Sequence, residues 1–136
     1  MMKKLLMFCL LGLFVVTSVG LAEAFVFSGE KCWQLVPYNG HVRLSISKVN
    51  NEYRLNGVNV ESGTTHFLTG TAVKSPSANA YKLALTQISP SGDCFTFLGS
   101  IDAFNGSGPG SNYTCSGTPI VTFTWTPIAC PAGLVP

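Results

Sequence analysis

The chain has 136 residues with eight Lys or Arg and six Asp or Glu, so its formal net charge is only +2 at pH 7. A charge this small produces no field that would attract nucleic acid or an anionic membrane, and nucleic acid is therefore excluded as a predicted partner. The length predicts one domain with a single core rather than two domains.

The first 24 residues have the three-part pattern of a secretory signal peptide. Lys3 and Lys4 form a short basic region, residues 5–16 are apolar, and an Ala-Glu-Ala stretch ends at Ala24. The apolar run is barely long enough to span a bilayer and is interrupted by small and polar residues, which favours cleavage over retention as an anchor. We therefore predict cleavage after Ala24. The mature domain, residues 25–136, is predicted to be secreted or periplasmic, with no membrane association after cleavage.

The predicted mature domain contains an even number of cysteines. They are Cys32, Cys94, Cys115 and Cys130. In an exported domain of this size, four cysteines indicate two disulfides. A metal site is not predicted because there is no C-x-x-C pair and no histidine near the most closely spaced cysteines. No cofactor is predicted either.

The mature sequence is predicted to be all-β. Segments rich in Val, Ile, Thr, Phe and Tyr alternate apolar and polar side chains, and no stretch has helical periodicity. The predicted strands are 32–38, 41–49, 52–60, 65–73, 80–88, 94–104, 111–116 and 120–128. Short connections containing Asn or Gly predict successive hairpins, and hence an eight-stranded antiparallel up-and-down meander.

Closure of this meander into a small barrel would remove its two unpaired edges. A two-sheet β-sandwich fits the same alternation and remains the alternative. In the third strand Val58 and Val60 are out of phase with the residues before them, which predicts a β-bulge at Gly57. The glycine-rich stretch 105–112 is predicted to be a flexible hairpin loop.

Barrel closure also predicts the disulfide pairing, which four cysteines alone leave open among three possibilities. Strand one starts at the end of the barrel where strand eight finishes, so Cys32 should meet Cys130. Cys94 begins strand six and Cys115 ends strand seven, so these two should pair at the opposite end. The sequence therefore predicts one disulfide near each end of the barrel.

The short-turn meander resembles the lipocalin and avidin class of small barrels over residues 32–130. The resemblance concerns topology alone. The stretch "GEKCW" places Gly29 four residues before Trp33, whereas lipocalins have Gly-x-Trp, and Trp33 and Trp125 are fewer tryptophans than avidins carry around biotin. No ligand-binding residue of either family is therefore implied here.

The sequence contains no catalytic constellation, and we predict that the protein is not an enzyme. His41 and His66 have no acidic neighbour in the sequence and are predicted to be surface residues beside turns. Ser45 and Lys48 match a Ser-x-x-Lys pattern, but on a strand they point to opposite sides.

Two binding hypotheses remain. In the first, the barrel binds a small apolar or aromatic ligand in its interior. The predicted ligand-binding residues are Tyr53, Thr69, Thr71, Tyr81, Gln87, Phe97, Phe123 and Trp125. In the second, aromatic side chains fill the core, and the loops at 75–79 and 105–112 bind a protein partner, as in an inhibitor or a surface component. The oligomeric state is left open.

Overall fold

The computed structural model describes residues 24–132 as a closed barrel of eight antiparallel strands in sequence order. The strands are β1 (Gly29–Val36), β2 (Gly40–Val49), β3 (Glu52–Glu61), β4 (Thr64–Ser75), β5 (Ala80–Ile88), β6 (Cys94–Asp102), β7 (Gly108–Thr114) and β8 (Pro119–Ile128). β1 and β8 close the barrel over five residue pairs, from Cys32↔Ile128 to Val36↔Thr124. The predicted meander and its closure are confirmed, and the sandwich alternative is wrong.

The hairpins form where the sequence supplies residues that accept a positive φ. Asn50, in the turn between β2 and β3, has φ 58°, and the turn between β3 and β4 has Ser62 at 48° and Gly63 at 80°. Two-residue turns of this kind match the right-handed twist of the strands that they connect. Neighbours in sequence therefore become neighbours in the barrel.

The predicted bulge at Gly57 is wrong. β3 pairs with β2 and β4 without interruption through Gly57, so Asn59 continues the inward face of the strand. Val58 faces outward and is nevertheless only 1% exposed. Its cross-strand partners are Arg43 and Phe67, whose long side chains flank it on the outer face. An apolar residue here is explained by its outer neighbours and requires no change of face.

The predicted glycine-rich loop at 105–112 is also partly wrong, because the loop is residues 103–107 and β7 begins directly after it. The strand glycines make room for Trp125. A Cβ on Gly99 would lie 2.5 Å from the Trp125 Nε1 atom, and a Cβ on Gly110 would lie 2.3 Å from it. Glycine is therefore required here by a close side-chain approach within the sheet.

Side chains fill the barrel interior. Trp33 and Trp125 are fully buried and meet edge to face with 6.0 Å between their ring centroids. Within residues 24–132, several more side chains have no exposed surface: Leu35, Val42, Leu44, Leu55, Asn59 and Ile101. Inward alternation from all the strands thus produces a packed core, as expected for a barrel of eight strands.

The two disulfides lie near opposite ends of the barrel. Cys32 bonds Cys130 near the end where β1 begins, and Cys94 bonds Cys115 at the end where β1 finishes. The predicted pairing is confirmed. Two disulfides in a small domain indicate an oxidising compartment.

The predicted signal peptide lies outside the described residues, apart from Ala24. Across residues 24–132 there is no helix long and apolar enough to cross a membrane.

Candidate functional site

The end of the barrel where β1 begins is closed by the segment that precedes β1. Phe27 is 4% exposed, stacks on Tyr81 with 4.2 Å between ring centroids and meets Tyr53 edge to face at 5.2 Å. The Phe25 backbone N–H donates a hydrogen bond to the Phe104 carbonyl at 2.8 Å. We call this the plugged end. Tyr53 and Tyr81, both predicted to bind a ligand, here contact the chain's own Phe27.

Three further predicted ligand-binding residues belong to the filled core. Phe97, Phe123 and Trp125 are at most 5% exposed. Phe123 lies 5.8 Å from the ring of Phe97 and 5.7 Å from that of Trp125, measured between centroids. These side chains pack against one another, so they fill the interior site in which a ligand was expected.

The inward orientation predicted for Thr69 and Thr71 is wrong. Both are exposed on the outer face of β4, whereas Leu68 and Ala72 face the core. The Thr69 hydroxyl donates to the Asn56 side-chain oxygen at 3.1 Å on the outer surface. Apolar residues of β4 face inward here, and they pack into an interior that aromatic side chains from other strands fill.

Gln87, the remaining predicted residue, lines a cavity of about 350 Å³ at the opposite end of the barrel. We call this cavity the polar mouth. The side chains that define it chemically are Tyr38, Glu61, His66, Gln87, Asp93 and Asn112. The mouth is formed by inward-facing side chains near the ends of β3, β5 and β7 and near the start of β4. The turn between β1 and β2 forms one wall.

A buried polar network lies beneath the mouth. The Asn59 amide nitrogen donates to the Gln87 side-chain oxygen at 2.8 Å and to the Glu61 carboxylate. The Asn112 side-chain oxygen accepts from the Val121 backbone N–H at 3.1 Å, beside an irregularity in the register of β7. Within residues 24–132, the buried polar residues all lie at this end: Asn59, Gln87, Ser89 and Asn112.

Two buried atoms in this region have no hydrogen-bond partner among the described residues: Asn59 Oδ1, beneath the mouth, and His66 Nδ1, on a residue that lines it. Asn59 is fully buried, and its Oδ1 atom lies close to Gly40, where a Cβ would approach it to 2.8 Å. Buried polar atoms are nearly always hydrogen-bonded in native proteins. The unpaired His66 Nδ1, on a residue that lines the cavity, therefore marks a place where a bound molecule could complete the hydrogen bonding.

Tyr38 stands over the core at this end. Its ring stacks on Phe123 with 5.8 Å between centroids and 27° between planes. Burial first, and then its hydrogen bond to the Glu61 carboxylate and that group's charge, raise the pKa of the Tyr38 hydroxyl above its ordinary value. The hydroxyl thus remains a hydrogen-bond donor over the whole physiological pH range.

The loop between β5 and β6 supplies the second carboxylate of the mouth. Asp93 accepts a hydrogen bond from the Ser91 hydroxyl at 3.0 Å, and its backbone N–H donates to the Ser89 hydroxyl at 3.0 Å. Glu61 and Asp93 are accompanied by His66 but by no Lys or Arg among the residues that line the cavity. The mouth is therefore rich in hydrogen-bond acceptors and carries negative charge.

Sequence reasoning missed most of this site. His66 was expected on the surface beside a turn, yet it is half-buried and lines the mouth. Asn59 and Glu61 were overlooked because the expected bulge at Gly57 reversed the apparent face of the second half of β3. Uninterrupted alternation from Leu55 was the signal that could have placed them inside.

An open groove of about 800 Å³ runs over the outer face of β5 to β8 and the end of β1. Its apolar contributors include Val36 and Leu98, which are 42% and 38% exposed. Because it is shallow and interspersed with Thr and Ser, it lacks the converging buried polar groups that the mouth has.

Residues 24–132 contain no group of three or more His, Cys, Asp or Glu side chains placed to hold a metal ion. Comparison with protein families, with curated proteins and with solved structures gives no match.

Proposed function

We propose that this protein is an exported, non-enzymatic binding protein that takes one small polar molecule at the polar mouth. One observation carries the proposal: the buried polar residues of the described chain gather around a cavity of about 350 Å³, beneath which the interior is filled. Pockets for small molecules start at roughly this volume and orient their ligands with a few converging polar groups. The disulfides and the predicted signal peptide support a secreted or periplasmic location.

The proposed ligand is neutral or cationic and carries several hydrogen-bond donors, as an amine or a polyol does. Glu61 and Asp93 are acceptors, His66 Nδ1 lacks a hydrogen-bond partner among the described residues, and no lysine or arginine lines the cavity to attract an anion. Tyr38 and Phe95 add aromatic surface, against which an ammonium group or a sugar face can pack. This moves the binding site from the interior to the mouth and changes the ligand from apolar to polar.

The absence of a catalytic role is supported by the surroundings of His66. A histidine that acts as a base is oriented through its second ring nitrogen, commonly by a carboxylate. His66 Nδ1 is buried without a hydrogen-bond partner among the described residues, so no acid orients the ring in this arrangement. Hydrogen bonding to a ligand explains the mouth without a reaction.

The proposal is tested by titrating the isotope-labelled protein with putrescine, erythritol and acetate while backbone amide shifts are recorded by NMR. We expect putrescine or erythritol to shift the amides of residues 38, 61, 66 and 87, and acetate to leave them unchanged. Glu61→Gln should weaken the binding of putrescine roughly tenfold or more, the effect of losing one hydrogen bond to a charged group.

Glu52→Gln is the matched control, because it makes the same substitution on the same strand at the plugged end. It should leave the affinity unchanged. Shifts confined to the outer groove, no shifts with either probe, or an equal loss of affinity in both variants would each contradict the proposal. The first two results would favour the filled-core hypothesis of a protein-binding module.

A further inference from the structure

The small net charge of the chain conceals a separation of charge between the two ends of the barrel. Near the plugged end the strands carry Lys31, Lys48, Arg54, Lys74 and Lys82, against the acidic residues Glu30, Glu52 and Asp102. Arg43 lies closer to the middle of β2 and is ion-paired with Glu30. The polar mouth has Glu61 and Asp93 and, among the residues that line it, no lysine or arginine. The plugged end is therefore positive and the mouth negative.

Three of these lysines surround the aromatic plug. Lys31 Nζ lies 5.9 Å from the ring centroid of Phe25, Lys48 Nζ lies 5.8 Å from that of Tyr53, and Lys74 Nζ lies 5.9 Å from that of Tyr81. The lysines come from β1, β2 and β4. Ammonium groups from three different strands therefore form a partial ring around one apolar centre.

Apolar side chains project from the same end. Phe104 is 69% exposed, Val26 is 60% exposed and Val49 is 41% exposed. Phe104 and Val26 lie on the two segments that are joined by the hydrogen bond from the Phe25 nitrogen to the Phe104 carbonyl. If cleavage follows Ala24 as predicted, the Phe25 nitrogen becomes an amino terminus and adds one positive charge here.

We propose that this basic, aromatic end docks on a membrane surface that contains anionic lipids. The lysines would meet the lipid phosphates, while Phe104 and Val26 would enter the interfacial layer, the combination that holds peripheral proteins on anionic bilayers. The chain also reaches the barrel at this end. The predicted signal peptide precedes Ala24, so before cleavage the segment that targets the membrane is joined to the barrel at this end.

A lipid surface fits the arrangement better than an acidic protein does. The surface combines lysines from three strands with exposed apolar side chains on adjoining segments. A bilayer offers phosphates to the former and an apolar interfacial layer to the latter, whereas an acidic polypeptide offers chiefly charge. The composition of the whole chain predicts no membrane association because it averages a positive end with a negative one.

The test is co-sedimentation of the disulfide-bonded, exported protein with vesicles of phosphatidylcholine, either alone or mixed with phosphatidylglycerol. We expect binding to the mixed vesicles alone, and its loss at high salt because ionic strength screens the attraction. The triple variant Lys31→Gln, Lys48→Gln, Lys74→Gln should lower the partition coefficient by about a hundredfold. Phe104→Ser should lower it by roughly tenfold.

The matched control lowers the net charge by the same amount, but at the opposite end. It carries Asn39→Asp, Ser62→Asp and Ser116→Asp, which are exposed turn positions. It should bind the mixed vesicles as the wild type does, and near-ultraviolet circular dichroism should show that all variants remain folded. Equal binding to neutral vesicles, or an equal loss in the control, would overturn the proposal. Failure to bind vesicles together with capture by immobilised polyglutamate would assign the surface to an acidic polypeptide instead.

Discussion

Tyr38 shows how one residue couples the core to the mouth. Its ring belongs to the apolar stack with Phe97 and Phe123, and its hydroxyl reaches the Glu61 carboxylate. Ionisation would place a second negative charge beside that carboxylate in a partly buried site. Burial and Glu61 together therefore raise the pKa of Tyr38.

This pKa shift predicts a loss of stability at alkaline pH. A tyrosine whose pKa is higher in the folded state contributes stability that is fully present below its unfolded pKa of about 10 and is lost as the pH rises above that value. The Tyr38→Phe variant should therefore show a smaller decrease in the free energy of unfolding above about pH 10 than the wild type. At neutral pH it should be about 1 kcal/mol less stable, because one hydrogen bond is lost.

Urea unfolding at a series of pH values measures both effects. Part of the alkaline decrease should persist in the variant, because burial first, and then the charge of Tyr53 and a hydrogen bond to it, raise the pKa of Tyr81 at the plugged end. An alkaline decrease in Tyr38→Phe as large as that of the wild type would show that Tyr38 remains easily ionised in the folded state.

At the scale of elements, the segment before β1 stabilises the barrel without being a strand. Its side chains provide the contacts: Phe27 packs on Tyr81 and Tyr53, and Phe25 approaches Trp33 with 6.0 Å between ring centroids. The Trp33 indole N–H donates to the Gly106 carbonyl at 2.8 Å and connects this cluster to the loop between β6 and β7. The end of the core is thus sealed by aromatic packing.

Phe27→Ala should lower the free energy of unfolding by about 3 kcal/mol or more, because it removes a buried aromatic ring and opens the end of the core. Urea unfolding followed by tryptophan fluorescence measures the change, since both tryptophans lie in the adjoining core. Val26→Ala is the control in the same segment, and its exposed side chain predicts a change within about 0.5 kcal/mol. Similar losses in the two variants would show that the plug adds little to stability.

The elements themselves differ in how far sequence could predict them. Strands β2, β5 and β8 were predictable because their alternating apolar residues coincide with the face that the barrel buries. The start of β7 was not predictable, since glycine and proline favour loops. Glycine is needed there because other strands approach closely, the Ser100 carbonyl at Gly108 and the Trp125 ring at Gly110. The mouth was missed for a different reason: Asn59 and Glu61 lie inward because alternation continues from Leu55, and the apolar Val58 and Val60 on the other face obscured this.

At the scale of the whole molecule, closure and the disulfides were predictable together because both follow from topology. An up-and-down order brings the first and last strands together, and only one pairing of the four cysteines then joins neighbouring strand ends at each end of the barrel. The difference between the two ends of the barrel was not predictable. A polar mouth at one end and a basic plug at the other depend on which strand ends carry charge, and composition averages over this difference.

The two disulfides should contribute unequally to stability, because they close loops of very different length. Cys32 and Cys130 are separated by 98 residues, whereas Cys94 and Cys115 are separated by 21. Loop-closure entropy predicts that removing the first bond costs about 5 kcal/mol and removing the second about 3 kcal/mol. The first loss is comparable to the whole stability of many domains, which is about 5–15 kcal/mol.

The comparison requires the double variants Cys32→Ala, Cys130→Ala and Cys94→Ala, Cys115→Ala, each unfolded in urea beside the wild type. The seam between β1 and β8 is joined by no turn, so it is held closed by backbone pairing, by packing such as that of Trp33 on Trp125, and by this disulfide. The first variant should therefore be the less stable of the two by about 1–2 kcal/mol, as the difference in loop length predicts. Equal losses, or a larger loss in the second variant, would show that the seam closes through strand pairing alone, and that the long disulfide adds little to a barrel that is already closed.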